Sequence, residues 1–498
     1  MPTSFVQYEM LPTTWFYVSS IIVLTVFFRF NRFWSVRNLD IFCIILLTPG
    51  LLLLAMPDTA GQHVANGYTW FFAVQSLLAV RLFFDFVMIR RPFLDPNLSS
   101  SGLAFSCFFL VFFLIAALIV NRGNPMDTVR TVRLEQILTA RHIHTKFGMN
   151  PDTLTVSSAA WENMPPGFRP FLVLTERANL VFAASPKIQN EIVRSEEIQP
   201  VRSADSKTAD FKTDILKEEI PAVIGSHQTE PVSLLPPPAA GNAGANTANT
   251  AAQHPPLGQW VLITMLIIAG HLSVVLALIY IGYRHFGNFQ TGISCAMLYL
   301  LHPYANQMIA RLDHVLPAAL ILGSVAFYRR PFFSGLGIGV AAALVFYPLW
   351  LIPLWCSFYQ QKGLFRFLTG TVAATAVFSL LLLFSPPQYG TFFEQLFHMA
   401  GKTALLVFGS PEGFWKTDDM FFRLPVIAVF GTVCFGMFAV PQRKNLAALI
   451  AGSALLMIGV QFWQIYQGGL YMAWYLPLLI LTIFRPNLED RIARSSVT

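Results

Sequence analysis

Thirteen apolar runs, most of them closed by a short turn rich in arginine and lysine, limit what this chain can fold into. About 20 apolar residues cross the hydrocarbon of a bilayer as a helix. An unpaired backbone N–H or C=O there costs several kcal/mol, so a run of this kind becomes a helix. Of 498 residues, 55% are hydrophobic and only 12% are charged. The sequence therefore predicts an all-α, polytopic membrane bundle of about 13 transmembrane helices, with one long exoplasmic insert.

The expected spans are 12–29, 39–57, 68–88, 102–120, 257–281, 289–302, 314–328, 333–346, 348–360, 366–384, 421–440, 446–463 and 470–484. Those at 289–302, 314–328, 333–346, 348–360 and 470–484 are shorter than a full crossing and are expected to be tilted, broken or capped. Basic turns follow every second run: RFNRFWSVR, IRRPFLDPN, YRHFGN, FYRRP, QQKGLFR, PQRKN and RPNLEDR. All fall on one side, which the positive-inside rule makes cytoplasmic. The expected protein is an integral, multi-pass protein of the cell (inner) membrane, N-terminus outside and C-terminus in the cytoplasm. No Lys or Arg precedes the first run, so it reads as a retained anchor and not a cleaved leader.

The net charge of +7 is unevenly spread. Residues 122–256 carry 13 Lys/Arg against 14 Asp/Glu, leaving 20 against 12 elsewhere, mostly in the short turns. That pattern orients a membrane protein and gives no case for nucleic acid. The five cysteines all sit inside apolar runs, without metal spacing, as small buried hydrophobes.

The chain divides into an N-terminal three-helix segment (1–101), a rising span (102–120), an insert (121–256) and a C-terminal bundle (257–498). The insert begins with an amphipathic helical pattern, DTVRTVRLEQILTA. Its Pro/Ala/Asn/Gly-rich stretch is a low-complexity linker, and about 185–255 is expected to be mostly disordered. Phe393, Leu396, Phe397, Ala400, Ala404 and Phe408 follow helical spacing, as in a helix lying in the membrane interface.

At membrane depth, Arg81 and Asp85 stand four apart on one helical face and are expected to pair. His271 and Gln75 read as satisfied interhelical hydrogen-bond groups. The exoplasmic rim is richer: Asp127, His302, Arg311, Asp313, His314, Tyr347 and Lys402 all fall there. Trp415, Trp463 and Trp474 share that rim, where tryptophan is ordinary belt composition.

The segment ARLDHVLPAALILGSVAFYRR, followed by SGLGIGVAAALVFYPLWLIPLW, resembles the GT-C superfamily of polytopic glycosyltransferases. It is most similar to the branch using polyprenyl-phosphate sugars, the mannosyltransferase-like GT87 group, over about half the chain. Spans 102–120 and 257–281 flank the insert as that fold's rising and falling spans flank its long loop. The resemblance implies a catalytic carboxylate shortly after the rising span, which here is Asp127, with Asp313 as the fallback. It also implies a cation for the departing lipid phosphate, drawn from Arg311, His302, His314 or Lys402, and a rim turn at Tyr347. Where the family's turn tends to carry Lys, this chain has Val345, and a Tyr-Pro-Pro-like segment is not evident. It implies no organic cofactor and leaves a divalent metal open, for which no ligand spacing argues. The partners implied are membrane lipids and a polyprenyl-phosphate-linked sugar donor. Two other readings stay open: a polytopic transporter or lipid flippase, which would need a polar path across the membrane, and a non-catalytic scaffold.

Overall fold

The structure is a computed structural model, and it describes residues 12–56, 62–86, 95–120, 166–168, 257–384, 391–401, 414–415, 420–439, 444–464, 467–488 and 492. The chain divides into two units, 1–179 with 256–498, and 180–255; everything described belongs to the first. The insert's amphipathic pattern, its linker, Asp127 and Lys402 lie outside the described residues.

The described chain is helical. The N-terminal segment holds α1 (Pro12–Phe27), α2 (Val36–Ile45), α3 (Leu47–Ala55) and α4 (Gln62–Asp85). The rising helix is α5 (Ser100–Val120). After the insert come α6 (Leu257–Tyr280), α7 (Phe289–Leu301), α8 (Pro303–Gln307), α9 (Leu312–Ala326), α10 (Pro331–Leu344) and α11 (Ile352–Tyr359). The last are α12 (Leu364–Leu381), α13 (Phe392–Met399), α14 (Met420–Ala439), α15 (Leu446–Trp463) and α16 (Leu476–Phe484). Polar residues start several of them: Ser35, Asn288 and Asn445 each accept from a backbone N–H three residues on.

Among the described residues, seven helical stretches are long and apolar enough to cross a membrane: Val36–Ala55, Gln62–Asp85, Ser100–Ile119, Val261–His285, Leu364–Phe384, Phe421–Ala439 and Leu446–Trp463. Five shorter apolar helices, Thr13–Phe27, Phe289–Leu301, Leu312–Ala326, Pro331–Leu344 and Met472–Phe484, match expected runs. The run expected at 348–360 is broken into a 3-10 turn, Tyr347–Leu351, and the eight-residue α11. Pro348 and Pro353 each stand near the start of one piece, where a missing N–H is harmless.

Small residues set the closest helix pair, α10 against α12. A Cβ at Gly335 would lie 2.0 Å from the Phe367 carbonyl, and one at Gly370 would lie 2.2 Å from the Phe332 carbonyl. Gly339, one turn beyond Gly335, meets Thr371 in the same way, so the stripe works as a small-xxx-small seam. Gly335→Leu is expected to cost about 1–3 kcal/mol, the usual range for overpacking. Thermal unfolding in detergent checks this, with Gly431→Leu as the control, because nothing lies within 4 Å of a Cβ there.

The N-terminal segment is tied in by polar bonds. Arg81 bridges Asp40 of α2 and Asp85 of its own helix, and Asp85 also binds Arg485, just past α16. The expected pair within α4 is thus half of a four-charge network. Gln75 donates to the Gly469 carbonyl at 2.8 Å and to the Tyr475 hydroxyl at 3.0 Å. His271 is an interhelical group, as expected: Nε2 donates to the Ile309 carbonyl at 3.0 Å.

From the insert, Pro166–Phe168 packs on the C-terminal end of α10. A Cβ on Gly167 would fall 1.9 Å from the Ala343 carbonyl, so only glycine lets this turn seat. Of the helical pattern expected from Phe393 to Phe408, the structure describes the first part as α13, and Ala404 and Phe408 lie outside the described residues. Thr391 and Glu394 form its capping box, each side chain accepting from the other's backbone N–H. Phe393 and Phe397 are exposed on it.

Candidate functional site

One end of the bundle gathers polar and aromatic side chains from segments far apart in sequence. The chain leaves α7 at His302, makes the single turn of α8, and re-enters the bundle at Arg311. Arg311 stands just before α9, and Asp313 lies in its first turn, where a carboxylate complements the helix dipole. The guanidinium grips both carboxylate oxygens: Nε to Oδ1 at 3.0 Å and Nη2 to Oδ2 at 2.8 Å. The pair is reachable, with side chains 10% and 18% exposed. Burial opposes the charge on Arg311, and the Asp313 carboxylate more than offsets it, so its pKa lies above the ordinary arginine value.

Behind the pair lies His314, fully buried. Its Nδ1 is 2.5 Å from the Tyr304 hydroxyl, and its Nε2 points toward Asp313 Oδ2 at 3.8 Å. A chain of groups therefore runs from Arg311 through Asp313 and His314 to the Tyr304 phenol.

The opposite wall comes from the turn between α15 and α16. Gln467 adopts φ +50°, a left-handed conformation few non-glycine residues take. In that pose its Oε1 accepts from Arg311 Nη1 at 3.3 Å. Gly469 follows at φ +98°. Its N–H donates to Gln461 Oε1 at 3.1 Å, and Gln75 holds its carbonyl. The N-terminal segment thus supports the turn that faces Arg311. Trp474 donates its indole N–H to the Asp313 carbonyl at 3.2 Å.

Rings line the rest. Tyr471 packs at a tilt against His314 and against Trp474, each at 4.4 Å between centroids. Tyr347 lies 5.5 Å from Trp474 and 5.4 Å from Trp463. Tyr347 and Tyr471 are partly exposed, while Trp463 and Trp474 are buried. Beyond Tyr347, the Trp350 and Trp463 indole nitrogens and Gln464 Oε1 are buried without a hydrogen-bond partner among the described residues.

The structure brings together Arg311, Asp313, His314 and Tyr347 from the residues expected on sequence. His302 sits nearby but serves as a tether. Its Nδ1 accepts from the Tyr304 N–H at 3.2 Å, so Nε2 carries the proton and faces the Ile44 carbonyl at 3.3 Å. Both ring nitrogens are thus engaged by backbone groups, and the ring is buried. Sequence reasoning missed Gln467, Tyr471 and Arg423. The signal for the first was a Gln-Gly-Gly turn between two apolar runs. Arg423, buried near the start of α14, donates to the Trp463 carbonyl and lies 5.8 Å over its ring. Among the described residues no group of His, Cys, Asp or Glu could hold a metal ion.

No family model, curated protein or solved structure matches this chain. The geometry of the site therefore carries the functional argument.

Proposed function

We propose that this chain is a membrane glycosyltransferase-like protein, moving a sugar from a polyprenyl-phosphate donor to an exoplasmic lipid or glycan acceptor. The observation that carries this is the convergence of the Arg311 and Asp313 pair with Tyr347, Tyr471 and Trp474 at one end of the bundle. The positive-inside rule supports reading that end as exoplasmic, opposite the basic turn at Arg329 and Arg330. Pro166–Phe168, the described part of the insert, sits on the C-terminal end of α10, the end that leads to Tyr347.

In this mechanism Asp127 accepts the proton of the acceptor hydroxyl as that oxygen attacks the anomeric carbon. The bond from the anomeric carbon to the phosphate oxygen breaks, and the lipid phosphate leaves with the electron pair. Asp313 is the fallback base. Lys402 supplies the cation that stabilises the departing phosphate. Its neighbour Gly401 packs against Phe346, next to Tyr347, and Arg311 is already held by Asp313. The buried charges at the far end of α4 and α16 are paired with one another, which favours a structural role for them over a place in a transport path.

The test uses the purified full chain in proteoliposomes with a panel of labelled polyprenyl-phosphate hexoses and a lipid acceptor. Release of free polyprenyl phosphate together with label on the acceptor is expected. Lys402→Ala is expected to slow release about 10²–10³-fold, the usual loss for one donor to a developing anion. Movement of intact donor between leaflets without release would favour the flippase instead.

A further inference from the structure

We infer that the Arg311 and Asp313 pair, with the partly exposed rings of Tyr347 and Tyr471, forms a subsite for an uncharged hexose ring and not for a phosphate. This rests on taking that end of the bundle as the sugar-transfer rim, and it names what the pair itself recognises.

Charge is the first ground. Both oxygens of Asp313 engage Arg311, so the pair is neutral as a unit. A phosphate would have to compete with a bidentate carboxylate that is only 18% exposed. Separating a largely buried ion pair of this geometry is strongly unfavourable.

Remaining hydrogen-bonding capacity is the second. A guanidinium has five N–H donors. Three are used, two on Asp313 and one on Gln467. Each carboxylate oxygen keeps a lone pair after accepting one bond. The pair therefore offers adjacent donors and acceptors in one plane. Two neighbouring hydroxyls of a sugar, each both donor and acceptor, match that array; a phosphate, whose oxygens mostly accept and which carries negative charge toward the Asp313 carboxylate, does not.

The rings are the third. Tyr471 and Tyr347 present partly exposed rings beside the pair, linked through the buried Trp474 at 4.4 Å and 5.5 Å. The C–H face of a hexose packs on such a surface, and a few well-placed polar groups then fix its orientation. Past Tyr347 the run ends at the indole N–H groups of Trp350 and Trp463 and at Gln464 Oε1, which have no hydrogen-bond partner among the described residues. Buried unpaired donors and acceptors are costly, and they mark positions suited to ligand hydroxyls. The φ of +50° at Gln467 is the fourth ground, because strained backbone held by its surroundings is a recurrent sign of a binding site.

The test is saturation-transfer NMR on the full chain in phospholipid nanodiscs free of sugar detergents, with methyl α- and β-hexopyranosides as probes. At least one hexoside is expected to bind, with transfer strongest to the protons of one ring face. Equimolar inorganic phosphate is expected not to displace it, and neither is polyprenyl phosphate carrying no sugar. Tyr471→Leu and Asp313→Asn are each expected to weaken binding about tenfold, the effect of one charge-assisted hydrogen bond or one stacking surface. Displacement by phosphate, or no hexoside bound by the unmodified chain, overturns the subsite; neither result depends on whether a variant folds. Hexoside binding without transfer from any donor keeps the subsite and removes the transferase reading. Transfer with phosphate-displaceable binding does the reverse.

Discussion

Asp85→Ala is expected to destabilise the bundle by about 3–5 kcal/mol, the range for breaking a buried ion pair from one side. Two carboxylates and two guanidiniums make up the network. Arg81 donates to Asp40 at 2.6 and 2.9 Å and to Asp85 at 3.1 Å, while Arg485 donates to Asp85 at 2.7 and 3.2 Å. The four side chains are 12%, 5%, 1% and 6% exposed, in the order Arg81, Asp40, Asp85, Arg485. Burial, with Arg81 adding a smaller push, already lowers the Arg485 pKa to about 10. Without Asp85 that cation stays buried and loses its carboxylate. Removing both charges should be much milder, because a neutral apolar pair needs no compensation: Asp85→Leu with Arg485→Met is expected to stay within about 1 kcal/mol of the unmodified chain. Chemical unfolding in mixed micelles checks both variants. If Asp85→Ala unfolds with the unmodified chain, the network does not hold the N-terminal segment to the C-terminal bundle.

Half of that network was legible. Arg81 and Asp85 stand at i and i+4, a spacing that predicts contact on one helix face. Asp40 and Arg485 come from 41 and 400 residues away, and no local pattern marks them as partners. The helices themselves were easier to read, since apolar length and basic turns are local signals. Where the expected run at 348–360 broke, Pro348 and Pro353 were the visible cause.

The site was legible in the same partial way. Arg311, Asp313 and His314 lie within four residues, so their shared rim was plain from sequence. Trp474 was visible too, but interfacial tryptophan is ordinary, so composition could not single it out. Its indole bond to the Asp313 carbonyl links positions 161 apart. Tyr471 and Gln467 depend on a turn held by Gln75 and Gln461, and periodicity in either run does not report that turn's shape. His302 carried the right residue type in the right place, yet full burial and two backbone contacts give it a tethering role.

The largest kinetic effect is expected at Asp127, which follows the rising helix α5 by seven residues in sequence. Asparagine there keeps shape and polarity but cannot accept a proton. Loss of a general base lowers the rate about 10²–10⁴-fold. The competing explanation is that Asp127 caps the helical pattern TVRLEQILTA. A lost cap would cost about 0.5–2 kcal/mol of stability and leave the rate per folded molecule unchanged. Stability and turnover therefore separate the two roles. Asp313→Asn, at the fallback base, should keep measurable transfer if Asp127 is the base, and weaken sugar binding instead.

The most direct measurement is label transfer from polyprenyl-phosphate hexoses by the full chain in proteoliposomes, run side by side with Asp127→Asn at matched folded protein. The expected result is transfer by the unmodified chain with at least one donor and a loss of about 10²–10⁴-fold in the variant. No transfer with any donor in the panel, or full transfer by Asp127→Asn, would contradict it.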